Sequence, residues 1–389
     1  MLYHHRIRSK DGQFVHVEEL TQALERLGHE LVFVGPSATA KEEFGADGGL
    51  AAWLRRHVPA VLYELLEFSY AFLDYCRMSA AIRRHRPQVI YERYNLFLPS
   101  GVWAARRFRL PIIMEINSPL FEERSRFGGL ALRRLARWSE RTAWRGATFA
   151  LPVTEVLADI VKQAGVDPDR LVVVPNGIDL AKFRNAPAPE EAKARLSLEG
   201  RFVLGFTGFM REWHRLDRVL DYMAGSSDRS LHLLIVGDGP ARPQLEAHAE
   251  RLGLRDRMTI LGIVARQQVA ACMAAFDIAL QPAVVAYASP LKLFEYLAMG
   301  LPIVAPETSN IREVLRDAHN GVLFDPSSDG SFAAALQRVC SDRALRERLS
   351  QAARRTIEEQ GLTWNRNAQR VTELMERACR HETEARCET

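Results

Sequence analysis

A lysine and a glutamate within one turn of each other lie in the stretch Ser289-Pro290-Leu291-Lys292-Leu293-Phe294-Glu295-Tyr296, which reads as the start of a short helix. Ser289 suits the N-cap, and Pro290 suits the first helical position, where no backbone N–H is needed. Leu293, Phe294 and Leu297 supply an apolar stripe, and Gly300 followed by Pro302 ends the helix. A cation in the first turn opposes the positive end of the helix dipole, so helix stability does not account for Lys292. Free N–H groups at a helix start plus an ammonium make a diphosphate site, and Glu295 beside them can hold ribose hydroxyls. A surface ion pair on an ordinary αβ unit is the competing reading of the same residues.

The elements that would position these groups are strands and helices in alternation. Short apolar runs at 31–34, 111–114, 171–174, 202–206, 231–236 and 303–305 each lie near a helical pattern, as in a parallel sheet, and the chain opens on the strand-like Met1-Leu2-Tyr3-His4. With 389 residues, 47% hydrophobic and 26% charged, the chain is a globular protein long enough for two doubly wound halves. A net charge of +4 is too small to imply nucleic acid, and none is expected as a partner. The five cysteines are scattered without a Cys-x-x-Cys pair, so neither a disulfide framework nor a zinc site is expected. No secretory signal and no membrane-spanning run is read, and a cytoplasmic location is the expectation.

The seam is expected near Val174-Pro175-Asn176-Gly177-Ile178-Asp179, where a buried strand meets a strong turn signal and a proline-bearing linker through Asn185 and Pro189 follows. Expected domains are 1–180 and 181–365, with a C-terminal helix, 366–389, crossing back and fraying over its last residues.

In order and spacing, Lys10-Asp11-Gly12-Gln13-Phe14-Val15-His16, Tyr91-Glu92-Arg93-Tyr94, Glu115-Ile116-Asn117, Pro175-Asn176-Gly177-Ile178-Asp179, Gly205-Phe206-Thr207-Gly208, Trp213-His214, Val236-Gly237-Asp238-Gly239-Pro240 and the Lys292–Glu295 helix together resemble the family-four glycosyltransferases. The resemblance implies an α/β GT-B fold, two Rossmann-like domains facing across a cleft. It implies a hexose moved from a nucleotide sugar to a glycan or lipid-linked acceptor with retention of configuration, in polysaccharide or glycoconjugate biosynthesis. The nucleotide sugar would be a co-substrate, with no other cofactor.

Gly12, in the loop after the first strand, would let backbone approach the donor, although an ordinary βα turn uses the same residues. His16, one turn on, either reaches the cleft or packs on the sheet. The loop from Gly208 would hold the diphosphate. Relatives usually place an arginine and a lysine there, but this chain has Phe209 and His214 at those positions, leaving Arg211 and Lys292 to supply charge. Main-chain groups of Gly262, Ile263 and Val264 would meet the nucleobase, and Ser289, Pro290 and Leu291 the phosphates. The family's paired glutamates are separated by seven residues. Glu295 is the second, and Tyr287 stands where the first belongs. With protein cations stabilising the leaving diphosphate, no metal is expected.

On the acceptor side, Glu115 and Asn117 could bind a hydroxyl, or Glu115 could be satisfied by nearby arginines. The stretch 130–145 carries five arginines and two tryptophans. It suits peripheral contact with an anionic membrane at its inner face, or a core helix with a solvated basic side. Two other functions fit parts of this pattern: a GT-B-fold sugar-nucleotide epimerase, and a degenerate, non-catalytic nucleotide- or glycan-binding subunit.

Overall fold

The computed structural model describes residues 1–7, 12–35 and 57–387. The Lys10 and Asp11 positions lie outside them, and Gly12 is described as backbone only. The chain forms two compact units, one made of 1–175, 287–289 and the segment from Trp364 on, the other of 176–286 and 290–363. The change of unit therefore comes after Pro175 rather than at 180. Ile178 already bridges to Thr363, and its N–H donates to the Leu362 carbonyl, which ties it to the second unit. The C-terminal helix (Trp364–Cys387) begins two residues earlier than expected and stays helical to Cys387.

Both expected parallel sheets are present. The first unit orders its strands β2-β1-β3-β4-β5, with β1 Leu2–His4, β2 Val32–Val34, β3 Ile90–Arg93, β4 Ile112–Ile116 and β5 Phe149–Pro152. Strands β3, β4 and β5 are buried along their whole length, as parallel strands covered on both faces must be. Four helices concern the argument: α1 (Gly12–Arg26), α2 (Ala60–His85), α3 (Ser100–Phe108) and α4 (Arg133–Gly146). The expected strand at 171–174 is absent, and only Leu171 bridges to β5. Val172 and Val174 donate to Ala150 and Pro152 carbonyls, but Pro152 has no N–H to return a bond, so the ladder stops.

The second sheet runs β11-β10-β9-β6-β7-β8, with β6 Phe202–Thr207, β7 Leu231–Val236, β8 Met258–Ile260, β9 Ile278–Leu280, β10 Ile303–Pro306 and β11 Val322–Phe324. Its first strand, β6, is flanked by β7 on one side and β9 on the other. The strand order reverses there, so the crevice beyond the carboxyl ends of β6 and β9 is where this architecture places ligands.

Buried polar groups bind the first unit together. His4 lies between Asp74 at 2.9 Å and Glu92 at 2.8 Å, and Ser100 donates to Asp74 at 2.6 Å. Burial alone would lower the His4 pKa, yet the two carboxylates raise it to about 10, so the imidazole is charged. Glu64, buried on α2, accepts the backbone N–H groups of Ala131 at 2.8 Å and Leu132 at 2.6 Å, just ahead of α4. It serves α4 as a cap supplied from another helix. Replacing it, as Glu64→Ala, is expected to destabilise the protein by about 1–3 kcal/mol, because two donors lose a charged acceptor. A fall in the urea unfolding midpoint checks this, with Glu67→Ala, at a partly exposed ion pair, as the milder comparison.

Candidate active site

The site in the second unit is built on one helix, α5 (Leu291–Met299). It starts one residue later than expected: Pro290 is the extended N-cap residue, at φ −74° and ψ 119°, and Ser289 lies outside. Pro290 has no side-chain donor or acceptor with which to cap the helix. Leu293, Phe294, Tyr296 and Leu297 are buried beneath the helix.

Tyr296 fixes the helix to the sheet. Its hydroxyl accepts the Thr207 N–H at 2.9 Å, at the end of β6, and donates to the Leu280 carbonyl at 3.3 Å, at the end of β9. One phenol thus spans the two strands that flank the switch point. Sequence reasoning gave Tyr296 no role. Its place next to Glu295, turned to the buried face, was the available signal.

Lys292 is carried by this anchored helix to the loop after β6. Its Nζ stands 3.8 Å from the centre of the Phe206 ring and 3.4 Å from His214 Nε2. Gly208, at φ +114°, lies so close that a Cβ there would be 3.3 Å from Lys292 Cε. Burial lowers the Lys292 pKa to about 7, against the opposing charge of Glu295 one turn along. His214 is pushed to about 2, by burial and then by the charges of Lys292 and Arg211, and is neutral. The Arg211 N–H donates to His214 Nδ1 at 3.2 Å, which leaves the ring proton on Nε2, facing Lys292. An N–H facing an amine is a hydrogen bond, but an N–H facing an ammonium is a repulsion. These neighbours therefore favour the uncharged lysine, and an arriving anion favours the charged one.

Among the described residues, Arg211 is stacked on aromatic rings and makes no ion pair. Its guanidinium lies 4.9 Å from the Phe209 ring and 5.0 Å from the Trp213 ring, both measured to the centroid. Phe209, at the position where an arginine was expected, and Trp213 therefore hold the displaced Arg211 between them. The neighbouring loops close in on this one. Met210 N–H donates to the Asp238 carbonyl at 2.9 Å, and a Cβ on Gly237 would come 2.1 Å from the Gly208 carbonyl oxygen. Gly237 bridges in turn to Gly262. Ile263 is exposed and Val264 packs partly on the core, so the main chain of 262–264 runs at the rim of the same loop cluster.

The first-unit candidates form a separate cluster. Glu115 is buried at the end of β4, 2.8 Å from His16 Nε2 and 2.9 Å from the Tyr91 hydroxyl, and it also accepts from Arg93 and from Asn117 at 2.5 Å. Burial would raise its carboxyl, but His16 and Arg93 outweigh burial and hold it well below the usual carboxylate range. His16 is buried and stacks edge-on against Trp364 at 4.8 Å. Glu115 is thus a saturated anchor that orients Asn117 and His16, not a proton acceptor. Tyr287 donates to Glu123 at 3.2 Å, and its carbonyl accepts from Thr154 at 3.0 Å. A neutral phenol, its pKa pushed up by burial, stands where relatives carry a carboxylate.

Family models match both halves: Glycosyltransferase Family 4 over residues 10–182 and Glycosyl transferases group 1 over 188–356. D-inositol 3-phosphate glycosyltransferase of Xylanimonas cellulosilytica is 27% identical over 372 residues, covering 88% of this chain and 86% of the relative. Alpha-D-kanosaminyltransferase of Streptomyces kanamyceticus is 24% identical, covering 64% of this chain and 66% of the relative. Among solved structures, Anabaena HepE in complex with UDP-glucose superposes with a TM-score of 0.75 at 19% identity, covering 96% of this chain and 98% of that one. Sucrose-phosphate synthase from Thermosynechococcus elongatus also gives 0.75, at 16% identity, covering 97% of this chain and 98% of that one.

A charge acquired on binding leaves a pH signature. With the Lys292 pKa near 7 before a ligand binds, binding of a diphosphate ester above that pH takes up a proton. Affinity should then fall about tenfold per pH unit between about pH 8 and 10, where the ester is already fully ionised. Lys292→Arg keeps its charge throughout and should show a flat profile. Calorimetry across this range checks it, and equal slopes for the two proteins would remove Lys292 from the anion site.

Proposed function

The chain belongs to the family 4, group 1 glycosyltransferases, and we propose that it moves a hexose from a nucleotide sugar to a glycan or lipid-linked acceptor with retention of configuration. The observation that carries this reading is the Lys292 amino group, held at the first turn of α5 between Phe206 and His214, where an arriving anion would hold it charged. Three positive features meet there: Lys292, the stacked Arg211 and the helix N-terminus. Together they suit a diphosphate leaving group, whose charge grows as the sugar–oxygen bond breaks.

In this reading α5 grips the donor. Lys292 and Arg211 neutralise the diphosphate, and the backbone at Gly208, Pro290 and Leu291, with Ser289 just ahead of the helix, lies along it. Glu295 holds ribose hydroxyls, and the main chain of Gly262, Ile263 and Val264 meets the base. Relatives' structures contain UDP and UDP-glucose, which supports a nucleotide sugar as donor. The departing diphosphate takes the proton of the attacking hydroxyl, so no general base is required of Glu115. Asn117, aligned by Glu115, and His16 bind on the acceptor side, with the start of α1 at Gly12. The reaction proceeds on protein cations without a divalent metal. Among the described residues no three His, Cys, Asp or Glu side chains group to hold one. A cytoplasmic protein in contact with an anionic membrane through 130–145, acting in polysaccharide or glycoconjugate biosynthesis, completes the proposal. Among the described residues no helix is long and apolar enough to cross a membrane.

Loss of one such electrostatic partner costs about 100- to 1,000-fold in kcat. Lys292→Ala is expected to fall in that range with its melting temperature preserved. Transfer by the parent enzyme should persist in excess EDTA, and NMR of the product should show the donor's anomeric configuration. An inverted anomer or a wild-type rate in Lys292→Ala would overturn the mechanism. An isomerised donor formed without acceptor would point to an epimerase.

A further inference from the structure

Helix α2 is built inside out. Its buried positions include Glu64 and Asp74, while Leu62, Leu65, Leu66, Phe72 and Leu73 face solvent. These five recur at helical spacing along one side, and Phe72 and Leu73 are 57% and 62% exposed. Scattered exposed leucines are ordinary, but a continuous stripe on one helix marks a surface that meets something apolar.

The stripe does not end at the helix. Phe72 lies 5.4 Å from the Trp103 ring of α3, and Phe68 lies 6.0 Å from the Trp138 ring of α4. Beyond the tryptophans, arginines from both helices line one groove, among them Arg106, Arg134 and Arg141. None of these three is paired with a carboxylate among the described residues. The Glu64 carboxylate holds the start of α4 against α2, so the apolar stripe and the basic groove are parts of one rigid surface.

We propose that the solvent face of α2 and the arginine groove between α3 and α4 form a docking surface for an anionic lipid bilayer. Leucines and phenylalanine would enter the acyl boundary, tryptophans would lie at its polar edge, and arginines would meet lipid phosphates. Charge decides among occupants. A two-fold contact with a second copy would set the arginine rim against itself. A nucleic acid would leave the leucine stripe uncovered. The surface extends the basic stretch 130–145 by an apolar helix face from 60–85, and it does not depend on the transferase reading.

Flotation with vesicles of phosphatidylcholine, alone or with roughly one third phosphatidylglycerol, tests it. Binding should be at least about tenfold tighter to the anionic vesicles, should weaken with added salt, and should shift Trp138 emission to the blue. Arg106→Glu/Arg134→Glu/Arg141→Glu should lose that preference, and Leu65→Ser/Phe72→Ser/Leu73→Ser should lose binding to both vesicle types. All of these residues are at the surface, so melting temperatures should stay near that of the parent. Equal binding to the two vesicle types, or none, would overturn the proposal. So would a wild-type dimer that the serine variant dissociates and vesicles do not recruit. Transfer to a water-soluble acceptor, assayed in parallel, reports on the enzyme reading alone, so either idea can fail without the other.

Discussion

The hydroxyl of Tyr296 is the constraint on which the second unit's site depends. It ties α5 to the ends of β6 and β9 with two hydrogen bonds, each contributing roughly 1 kcal/mol net. Stability is the lesser part of its effect. Without it the helix could slide or rotate over the crevice, and Lys292 would leave the 3.8 Å contact with Phe206. A pKa near 7 for a lysine requires fixed neighbours, and a mobile side chain would find water. Position and protonation state are here one property.

The two units treat buried charge in opposite ways. In the first, buried carboxylates are spent on structure: Glu115 on Arg93, His16, Tyr91 and Asn117, Glu64 on the approach to α4, Glu92 and Asp74 on His4. Glu140 accepts from the Phe121 N–H at 3.0 Å and from the Tyr94 hydroxyl at 2.8 Å. Such groups fix loops and helix starts and have little capacity left for a ligand. In the second unit, the Lys292 amine sits by an aromatic face and a neutral imidazole, with no buried carboxylate spent on it as a structural ion pair among the described residues, and an incoming anion favours its charged form. Of the two readings of Glu115, a site for an acceptor hydroxyl or a carboxylate satisfied by its neighbours, its partners Arg93, His16, Tyr91 and Asn117 favour the second.

Much of this was legible in the sequence, for physical reasons. Long apolar strands such as β6 and β7 announce themselves, because burial on both faces demands uninterrupted apolar runs. Strands of three or four residues do so unevenly: β1, β2 and β10 were legible, and β5 and β9 were not. Phe149–Pro152 and Ile278–Leu280 are too short for periodicity to separate them from a helix or loop. The strand expected at 171–174 failed for a reason that no window average contains, the missing N–H of Pro152 in the neighbouring strand. Lys292 and Glu295 stood out because a first-turn lysine conflicts with the helix dipole and invites an explanation, and the glycine loops stood out through the family resemblance. Tyr296 and Phe206 were not found, because a buried aromatic residue looks like core until its partners are known. The outward leucines of α2 were hidden for the converse reason: an apolar stripe reads as buried unless its inward neighbours, Glu64 and Asp74, are weighed against it.

Burial brings Lys292 into the range where it titrates near neutral pH beside a neutral His214, and an arriving anion holds it charged. Nitrogen-15 NMR of the protein labelled at lysine and histidine measures both groups directly. The account predicts a Lys292 amine that titrates near pH 7, a His214 ring protonated only at Nε2 throughout the neutral range, and conversion of Lys292 to the ammonium on adding a nucleoside diphosphate. A Lys292 that titrates near the ordinary 10.5, or a His214 charged at neutral pH, would contradict it.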